Sequence, residues 1–414
     1  MNAYNTYNYG AMMMVENFIT YMNERVSNLE FYIEHGTEDN INRLKEATNY
    51  DLIFPDKQIT PNRDVPTNKL AKVFYKVKEL RLIKKSKYYD VVTILGGDTF
   101  SEIYSKHIGV YLTWYKIKKL NENTRLFMVG QTIGPYTEGR KKYVSNVLQN
   151  IDLYTRDERS RKYLQDELDI NCNSMRDLAF LPLNLQDDYV KNAKKILKKY
   201  DLTENNYVTI VGTGLMSLYT KDTELFMNKF MDLIKELKAK YPDKKILWLS
   251  HVTGKTPNDN TMLDEINTKK NNFIDKNMVV IREDILPVEA RVILGFGYFT
   301  ITCRMHAAVS TFNMGKPAIC LSYSPKYAGV IADSLDMAEI VIESKGDEFW
   351  ENKPVETILD RVVYVEKNYD KLCKTINEKV EECQGNVLSV LDEVSSLIKP
   401  TDESQKKKPT RRIV

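Results

Sequence analysis

The sequence predicts an α/β protein with two doubly wound, Rossmann-like domains that face a cleft, followed by C-terminal helices. Short apolar runs alternate with longer helical patterns along the chain, which is typical of parallel sheets covered by helices. The alternation stops over residues 183–206 and then resumes, so it forms two series. At roughly 100–200 residues per domain, a chain of 414 residues also favours more than one domain.

Each series contains several predicted strands. The first series has buried strands at 91–95, 126–130 and 153–156, and the second has them at 207–212, 245–250, 278–281, 299–303 and 318–323. Within the second series the stretch 220–241 has the helical period, because apolar residues such as Phe226, Phe230 and Leu237 recur on one face. Pro242 then prevents the helix from continuing.

These patterns predict four regions. They are an N-terminal domain at 1–185, a C-terminal domain at 205–350, helices packing across both domains at 355–397, and a disordered basic tail at 398–414.

The net charge of +3 is unevenly distributed. Residues 399–414 contain six basic and two acidic side chains, so they carry +4 and the rest of the chain carries −1. Because the body is nearly neutral, the surplus does not indicate a nucleic-acid-binding surface. The tail is expected to make peripheral contact with anionic lipid, and the alternative is a solvated, disordered end.

Composition and spacing favour a cytoplasmic protein. No apolar run approaches the roughly 18–20 residues that span a bilayer, and the first residues lack the pattern of a secretory signal. The five cysteines are odd in number and include no CxxC pair, which fits reduced thiols. The four histidines lack metal-ligand spacing, so no metal site is expected.

The strongest candidate site is Arg304-Met305-His306, which follows the strand at 299–303 and opens a helix that ends near Met314. Backbone N–H groups and the helix dipole favour anions at such a position. Arg304 can clamp a phosphate or carboxylate through two parallel hydrogen bonds, and His306 can give or take a proton near neutral pH. The alternative is an interdomain salt bridge for the arginine and a helix cap for the histidine.

In the first series, the candidates follow the strands, because ligands of doubly wound sheets bind outside the carboxyl ends of the strands. Gly97 allows close approach of a ligand or a backbone, and Asp98 is expected to project into the cleft or to cap a helix. Gln131, in a predicted loop at 130–135, is a candidate partner for a sugar hydroxyl unless the loop is purely structural. Arg156 ends the third strand and can point toward the same cleft.

The second series offers further candidates. The loop that starts at Gly212 resembles a dinucleotide fingerprint without its third glycine, so it argues against NAD but is a candidate for a phosphate or a sugar. His251 follows the next strand and is expected to face the cleft or to cap its loop. Lys326 is a candidate second cation for a small anion. Together the cations, His306 and Asp98 suit a small, multiply charged anion and a proton transfer.

In these motifs the chain resembles the polysaccharide pyruvyl transferases. The matching pieces, in the family's order, are Asn8-Tyr9-Gly10-Ala11, Leu95-Gly96-Gly97-Asp98, Gly130-Gln131-Thr132-Ile133-Gly134-Pro135, Arg156-Asp157-Glu158-Arg159-Ser160, Arg304-Met305-His306 and Tyr323-Ser324-Pro325-Lys326. The resemblance implies a fold like that of GT-B glycosyltransferases, with phosphoenolpyruvate as a co-substrate rather than a bound cofactor. It further implies that a pyruvate ketal is placed across two hydroxyls of a sugar in a bacterial cell-surface glycan such as a capsule, on a lipid-linked unit at the inner face of the membrane.

The resemblance also implies roles for individual residues. The family's donor-binding arginine and histidine fall on Arg304 and His306, with Met305 between them. Its other donor arginine falls on Arg156 and its cleft acid on Asp98. Asn8, Tyr9 and Tyr323 are expected to line the cleft because they lie in matching motifs. The N-terminal domain is then the acceptor side and the C-terminal domain the donor side.

The chain departs from the family pattern at its start. The family has a β-strand directly before the Asn-Tyr-Gly-Ala loop, and here only a few residues remain for it. The first sheet is therefore expected to lack a strand, unless the sequence is truncated or its start is misassigned. Two rival functions share the fold: a GT-B glycosyltransferase with a nucleotide-sugar donor, and a non-catalytic glycan-assembly protein. The four intact residues Asp98, Arg156, Arg304 and His306 argue against the second.

Overall fold

The structure, a computed structural model, describes residues 5–56, 83, 86–102, 108–254, 258–269, 273–398 and 411–413. These residues form two compact units. Unit 1 contains the described parts of Met1–Thr6, Met14–Leu178 and Gly385–Val414, and unit 2 contains Tyr7–Met13 and the described parts of Ala179–Gln384. Strands and helices are numbered below in chain order.

The division into units differs from the predicted ranges. The units separate between Leu178 and Ala179 rather than within 185–205, and most of the C-terminal helical region falls in unit 2. The segment Tyr7–Met13 also belongs to unit 2. Backbone hydrogen bonds explain this, because Tyr9 N donates to His251 O at 3.0 Å and Thr253 N donates to Tyr7 O at 2.9 Å.

Unit 1 contains a parallel sheet. Its described strands are β1 (Leu29–Ile33), β2 (Ile53–Pro55), β3 (Val91–Phe100), β4 (Arg125–Ile133), β5 (Asp152–Thr155), β6 (Asn173–Ser174) and β13 (Arg411–Ile413). Their order across the sheet is β2-β1-β13-β3-β4-β5-β6. Strands β3 and β4 run further than predicted, so Gly97, Asp98 and Gln131 lie within strands and the predicted loop at 130–135 starts only after Ile133.

The position between β1 and β3 is filled by β13, from the C-terminal segment of the chain. Phe31 of β1 pairs with Ile413, which also pairs with Val91 of β3. Ile413 is buried between these apolar neighbours, with 2% of its surface exposed. Two expectations are therefore wrong: the sheet does not lack a strand here, and 411–413 are not disordered. Ile398, the first residue of the predicted disordered tail, is instead the last residue of a helix.

Residues 399–410 lie outside the described residues. The membrane contact expected of the tail therefore stays a prediction, and salt-dependent binding to anionic liposomes would test it.

The helices of unit 1 follow local signals in the sequence. They are α1 (Tyr9–Arg25, whose first turn lies in unit 2), α2 (Glu38–Thr48), α3 (Ile108–Asn123), α4 (Glu138–Leu148) and α5 (Glu158–Leu168). The Thr37 hydroxyl caps α2 by accepting from Asn40 N at 3.2 Å, and the Asp157 carboxylate caps α5 by accepting from Ser160 N at 2.7 Å. Trp114 of α3 packs in a core with residues of β3 and β4.

Unit 2 contains a second parallel sheet. Its described strands are β7 (Tyr207–Val211), β8 (Lys245–Leu249), β9 (Met278–Ile281), β10 (Thr300–Thr302), β11 (Ala318–Ser322) and β12 (Val341–Glu343), in the order β12-β11-β10-β7-β8-β9. The chain therefore builds one side of the sheet from β7 to β9 and returns beside β7 with β10. That reversal between β7 and β10 is the topological switch point, where doubly wound sheets bind ligands.

The helices of unit 2 alternate with these strands and then continue beyond them. They are α6 (Gln186–Lys199), α7 (Thr223–Lys240), α8 (Asp259–Lys269), α9 (Pro287–Phe296), α10 (Met305–Asn313), α11 (Asp347–Glu351), α12 (Pro354–Lys367) and α13 (Tyr369–Ile398), of which α13 passes from unit 2 into unit 1 at Gly385. In the part of the chain that the structure describes, no helix is long and apolar enough to cross a membrane. Both units are Rossmann-like, as predicted.

Candidate functional site at the switch point of unit 2

Asp259 organises the carboxyl ends of three strands in unit 2. It is the first residue of α8, and none of its surface is exposed. One carboxylate oxygen, Oδ2, accepts from the backbone N of His251 at 3.0 Å and of Val252 at 2.8 Å, just after β8. The other, Oδ1, accepts from Gly214 N after β7 at 3.4 Å and from Arg304 after β10. The carboxylate therefore joins both sides of the switch point.

Arg304 is held by this carboxylate on one edge of its guanidinium. Nε and Nη2 donate to Asp259 Oδ1 at 2.9 and 2.6 Å, and the side chain is 13% exposed. The remaining nitrogen, Nη1, has no hydrogen-bond partner among the described residues. Burial opposes the charge of Arg304, but Asp259 outweighs burial and raises the pKa above its ordinary value. The side chain is thus an oriented cation with one nitrogen left for a ligand.

The backbone before Arg304 is also fixed. The hydroxyls of Tyr219 and Tyr327 both donate to the carbonyl oxygen of Cys303, at 3.0 and 2.6 Å. Burial raises the pKa of both tyrosines well above the ordinary value, so both remain neutral donors. Arg304 N donates to Thr302 Oγ1 at 2.8 Å. These bonds set where the strand ends and where α10 begins.

His306 lies against the Asn-Tyr-Gly-Ala segment. A Cβ atom added to Gly10 would come within 2.2 Å of Nδ1 of His306, closer than any real contact allows. Gly10 is therefore required because the imidazole approaches the backbone there. His306 is partly exposed and lies in the first turn of α10, two residues after Arg304.

A second cation lies beside a tyrosine pair on the β11 side of the switch point. Lys326 Nζ donates to the Tyr323 hydroxyl at 2.9 Å and lies 5.8 Å from the ring centre of Tyr327. Tyr323 and Tyr327 pack edge to face, and both contribute to the electrostatic surroundings of Arg304. Lys326 and Tyr323 are thus brought to the same end of unit 2 as Arg304.

His251 is a neutral neighbour of this site. It is 2% exposed, and burial, together with the charges of His306, Arg304 and Arg291, lowers its pKa well below 6.5. The ring of Tyr9 packs edge to face against it at 5.4 Å. Asn8 forms an antiparallel bridge with Val252. Asn8, Tyr9 and His251 therefore meet in unit 2, although the buried His251 presents little surface to a ligand.

Two residues of unit 2 that were predicted to belong to the site have structural roles instead. The side chain of Met305 is 3% exposed, so it packs in the interior rather than against a donor. Gly212 faces Trp248, whose ring would lie 2.3 Å from an added Cβ atom. This glycine is explained by packing inside the unit and not by approach of a phosphate or a sugar.

In unit 1, Asp98 is partly exposed near the end of β3. It lies inside a strand and not at the start of any helix among the described residues. Gly97 before it has φ +98, a conformation that favours glycine, and the register of β3 against β4 shifts between Gly97 and Phe100. An added Cβ atom at Gly97 would meet nothing closer than 3.7 Å, so the backbone angle, not a close contact, requires this glycine.

Two other predicted residues of unit 1 are buried. The Arg156 side chain is 1% exposed; Nη1 donates to Asp177 Oδ2 at 2.7 Å and Nε donates to Thr132 Oγ1 at 2.9 Å. Gln131 is fully buried, and its amide nitrogen donates to Ile94 O at 2.9 Å. Neither side chain reaches solvent in this structure, which favours structural roles over contacts with donor or acceptor.

Sequence reasoning missed Asp259 and the role of Gly10. Asp259 carries one available signal, since an acid at the first turn of a helix after a strand is a common anchor for nearby N–H groups. Its partner Arg304 lies 45 positions away, however, and no local pattern predicts that contact. Among the described residues, no three His, Cys, Asp or Glu side chains form a metal-binding group.

The fold is shared with enzymes of known structure. The chain is similar to a putative UDP-N-acetylglucosamine 2-epimerase from Listeria monocytogenes, with a TM-score of 0.62 and 10% identity over 95% of each chain. It is also similar to the UDP-GlcNAc 2-epimerase of Neisseria meningitidis, with a TM-score of 0.57 and 12% identity over 94% of this chain and 96% of that one. A third similar structure, OtsA, has a TM-score of 0.53 and 12% identity, covering 93% and 95%. At these identities the likeness shows the GT-B fold alone, which confirms the predicted fold class.

The family is shown by the sequence itself. The sequence model of the polysaccharide pyruvyl transferase family matches residues 8–325, which is most of the chain. That range includes Asp259, Arg304 and His306, but not Lys326 and Tyr327. It starts at Asn8, whose segment contacts His306, and ends at Pro325, next to Lys326. The chain therefore belongs to the polysaccharide pyruvyl transferase family, whose description indicates a transferase that acts on polysaccharide.

Proposed function

We propose that the protein transfers the enolpyruvyl group of phosphoenolpyruvate onto two hydroxyls of one sugar in a cell-surface polysaccharide or its lipid-linked precursor. The products are a cyclic pyruvate ketal and inorganic phosphate. Family membership supports the transferase class. The choice of donor is supported by the charges and geometry at the switch point of unit 2.

One observation carries the proposal. Gly10 lies directly against His306, and Arg304 opens the same helix with one guanidinium nitrogen free of described partners. A proton-transfer group, an oriented cation and the start of a helix therefore occur together. Phosphoenolpyruvate carries a phosphate and a carboxylate, which are the groups that arginine and helix starts bind well.

The donor would be held by cations of unit 2. Arg304 offers a charge-assisted hydrogen bond through Nη1 while Asp259 fixes its orientation. Lys326 adds a second positive charge from the β11 side. Its ammonium is a mobile point charge, whereas the guanidinium of Arg304 is planar and fixed, so Arg304 would set the orientation of the donor.

In the net reaction the sugar loses two hydroxyl protons, while the methylene carbon and the phosphate each gain one. A proton added to the methylene carbon of phosphoenolpyruvate makes that carbon a methyl group and C2 an electrophile. One sugar hydroxyl bonds to C2 and loses its proton; a second hydroxyl of the same sugar then bonds to C2 as the C–O bond to phosphate breaks, and its proton goes to the phosphate. We assign His306 as the acid that protonates the methylene carbon.

In unit 1, we propose a catalytic role for one residue, Asp98. Asp98 is partly exposed, and a carboxylate can accept the proton of a sugar hydroxyl, so we propose it as the base. Arg156 is implied as a donor ligand by the resemblance, but its buried ion pair with Asp177 supports a structural role. We propose a lipid-linked acceptor at the cytosolic face of a membrane.

Release of inorganic phosphate tests the function. Protein, phosphoenolpyruvate and candidate lipid-linked saccharides are mixed, and phosphate is measured against time. We expect His306→Ala to lower the rate by about 10²–10⁴-fold, as is typical when a positioned acid is lost. His35→Ala, a matched change in unit 1, should leave it unchanged.

Near-normal phosphate release by His306→Ala would contradict the assignment of the acid. Stabilisation of the protein by a nucleotide sugar but not by phosphoenolpyruvate would contradict the donor itself.

A further inference from the structure

Unit 2 contains a cavity of about 280 Å³ beside the switch point, at the carboxyl ends of β8 and β9. Clefts for drug-sized ligands measure roughly 300–1,000 Å³. This cavity therefore fits one small ring rather than an extended chain or a whole nucleotide.

One part of the lining is aromatic and apolar. Tyr7 and Tyr9 come from the segment that crosses into unit 2, and Leu249, Ile281 and Ile285 come from the ends of β8 and β9. The aliphatic residues are nearly fully buried. Tyrosine offers an apolar ring together with a polar hydroxyl, which suits a ligand with both C–H and O–H groups.

The polar part of the lining has unused hydrogen-bonding groups. The hydroxyl oxygen of Thr253 is buried and has no hydrogen-bond partner in the described residues. The side-chain carbonyl oxygen of Asn260 accepts a hydrogen bond from Ser250 Oγ at 2.7 Å. The amide nitrogen of Asn260 has no hydrogen-bond partner among the described residues. Because an unpaired buried polar group is unfavourable, a ligand hydroxyl here would gain a hydrogen bond that the protein leaves unmade.

The charged part of the lining disfavours an anion. It contains Arg282, Glu283 and Asp284, a formal charge of −1 among the described lining residues. Arg282 already pairs with Asp264. Burial raises the pKa of Glu283, but hydrogen bonds from Lys199 and Tyr200 outweigh it and hold the pKa below its ordinary value. The carboxylate thus stays ionised in an ion pair with Lys199, and the described lining keeps no unpaired arginine for an anion.

The cavity adjoins the donor site along one short segment. Tyr9 lines the cavity and packs against His251, and the next residue, Gly10, supports His306. Tyr9 and Gly10 therefore contribute to two neighbouring sites, the cavity and the cationic donor site at Arg304. The two sites sort ligands by charge, with the anionic donor at Arg304 and a neutral group in the cavity.

We propose that this cavity binds one neutral pyranose ring of the saccharide acceptor, so that unit 2 holds acceptor as well as donor. The inference rests on the proposed function. It names the class of ligand, and it places an acceptor site in the unit that the resemblance implied to be the donor side.

Binding of simple glycosides tests the inference without turnover. The methyl pyranosides of glucose, galactose, mannose and N-acetylmannosamine are offered to the full chain at tens of millimolar, and contacts are read by saturation-transfer NMR. Thr253→Val removes the unpaired hydroxyl at nearly constant shape. We expect it to weaken binding of the preferred glycoside about threefold to tenfold, the value of one hydrogen bond.

Thr209→Val is the matched control, because Thr209 lies in β7 outside the lining and its hydroxyl is also buried without a partner among the described residues. It should leave glycoside binding unchanged. Stabilisation by phosphoenolpyruvate should be the same in both variants and the parent.

The outcomes separate the inference from the proposed function. Failure of all four glycosides to bind, equal binding in Thr253→Val, or displacement of the glycoside by uridine overturns the inference, even when phosphate release proceeds. Glycoside binding that depends on Thr253 upholds it, even when no acceptor yields phosphate, and the proposed reaction then fails alone.

Discussion

Each unit has an arginine just after a parallel strand that is paired with a buried aspartate, and the two pairs differ in what they leave open. In unit 1, Arg156 bonds to Asp177 and Thr132 and is 1% exposed. In unit 2, Arg304 bonds to Asp259 through one edge and is 13% exposed. An arginine after a strand can therefore bind a ligand only if its aspartate partner occupies one edge of the guanidinium and leaves another edge exposed to solvent.

The surroundings explain the difference. Thr132, in β4, accepts from Nε of Arg156 and donates to Asp157, the cap of α5, so that Arg156 is tied into a buried hydrogen-bond network. Asp259 instead uses one oxygen on two backbone N–H groups and the other on Arg304. A carboxylate bound to the backbone is fixed in place, and it therefore orients Arg304 without enclosing it.

The largest expected effect comes from changing each arginine in turn. Arg304→Lys keeps a charge beside Asp259 but loses the planar second edge, so phosphoenolpyruvate should no longer raise the melting temperature. The parent should gain about 2.7 kcal/mol at a donor concentration of 100 Kd. Arg156→Met should cost about 3–5 kcal/mol of unfolding free energy, because it removes one partner of a buried ion pair.

The double variant Arg156→Met/Asp177→Leu decides between the two roles for Arg156. Replacing both partners of a buried pair by apolar groups should recover most of the lost stability. Phosphoenolpyruvate should also raise the melting temperature of the double variant as much as that of the parent. A stable double variant without that response would show that Arg156 binds the donor after all, and the comparison would fail.

An intermediate effect is expected from Gly10→Ala. The added Cβ atom would overlap Nδ1 of His306, so the imidazole must move. We expect a loss of at least about tenfold in phosphate release, which corresponds to about 1.4 kcal/mol, with a smaller fall in melting temperature. Gly139→Ala is the control, because nothing lies within 4 Å of its added Cβ atom. Equal activity in both variants would show that the position of His306 does not matter.

The smallest effect concerns His251 and pH. Its folded pKa lies well below 6.5, so below pH 6.5 the unfolded chain takes up a proton that the folded chain does not. Stability should therefore fall as the pH drops through that value, by up to about 1.4 kcal/mol per pH unit. His251→Phe lacks this loss while keeping a ring beside Tyr9. Urea unfolding of the parent and of His251→Phe at pH 7.5, 6 and 5 measures this loss of stability. If the unfolding free energies of the two proteins changed equally with pH, His251 would not be neutral in the folded protein.

The sequence predicted the fold where the signals are local. Strands such as β4, β7 and β8 are continuous apolar runs, and α7 has a clear period, so each lies close to its predicted place. The short strand β13 was missed because three residues carry no pattern and their partners lie in β1 and β3. Boundaries also shifted, since β3 continues through a glycine pair that was expected to end it.

The site was predictable in part for the same reason. Arg304 and His306 are two residues apart at a strand-to-helix turn, and that turn alone indicates anion binding. The state of each arginine depends on partners that fold against it, Asp259 for one and Asp177 for the other. The fit of Gly10 against His306 likewise joins positions that are distant in the chain.

The place of β13 has a consequence for synthesis. Strand β1 begins at residue 29 and β13 at residue 411, so the position between β1 and β3 stays empty until residue 411 has been synthesised. At roughly 5–20 residues per second, β1 and β3 wait tens of seconds with unpaired edges that other chains can occupy. The described strands of unit 2 all lie between residues 207 and 343. Unit 2 can therefore complete its sheet before unit 1, the reverse of their order along the chain.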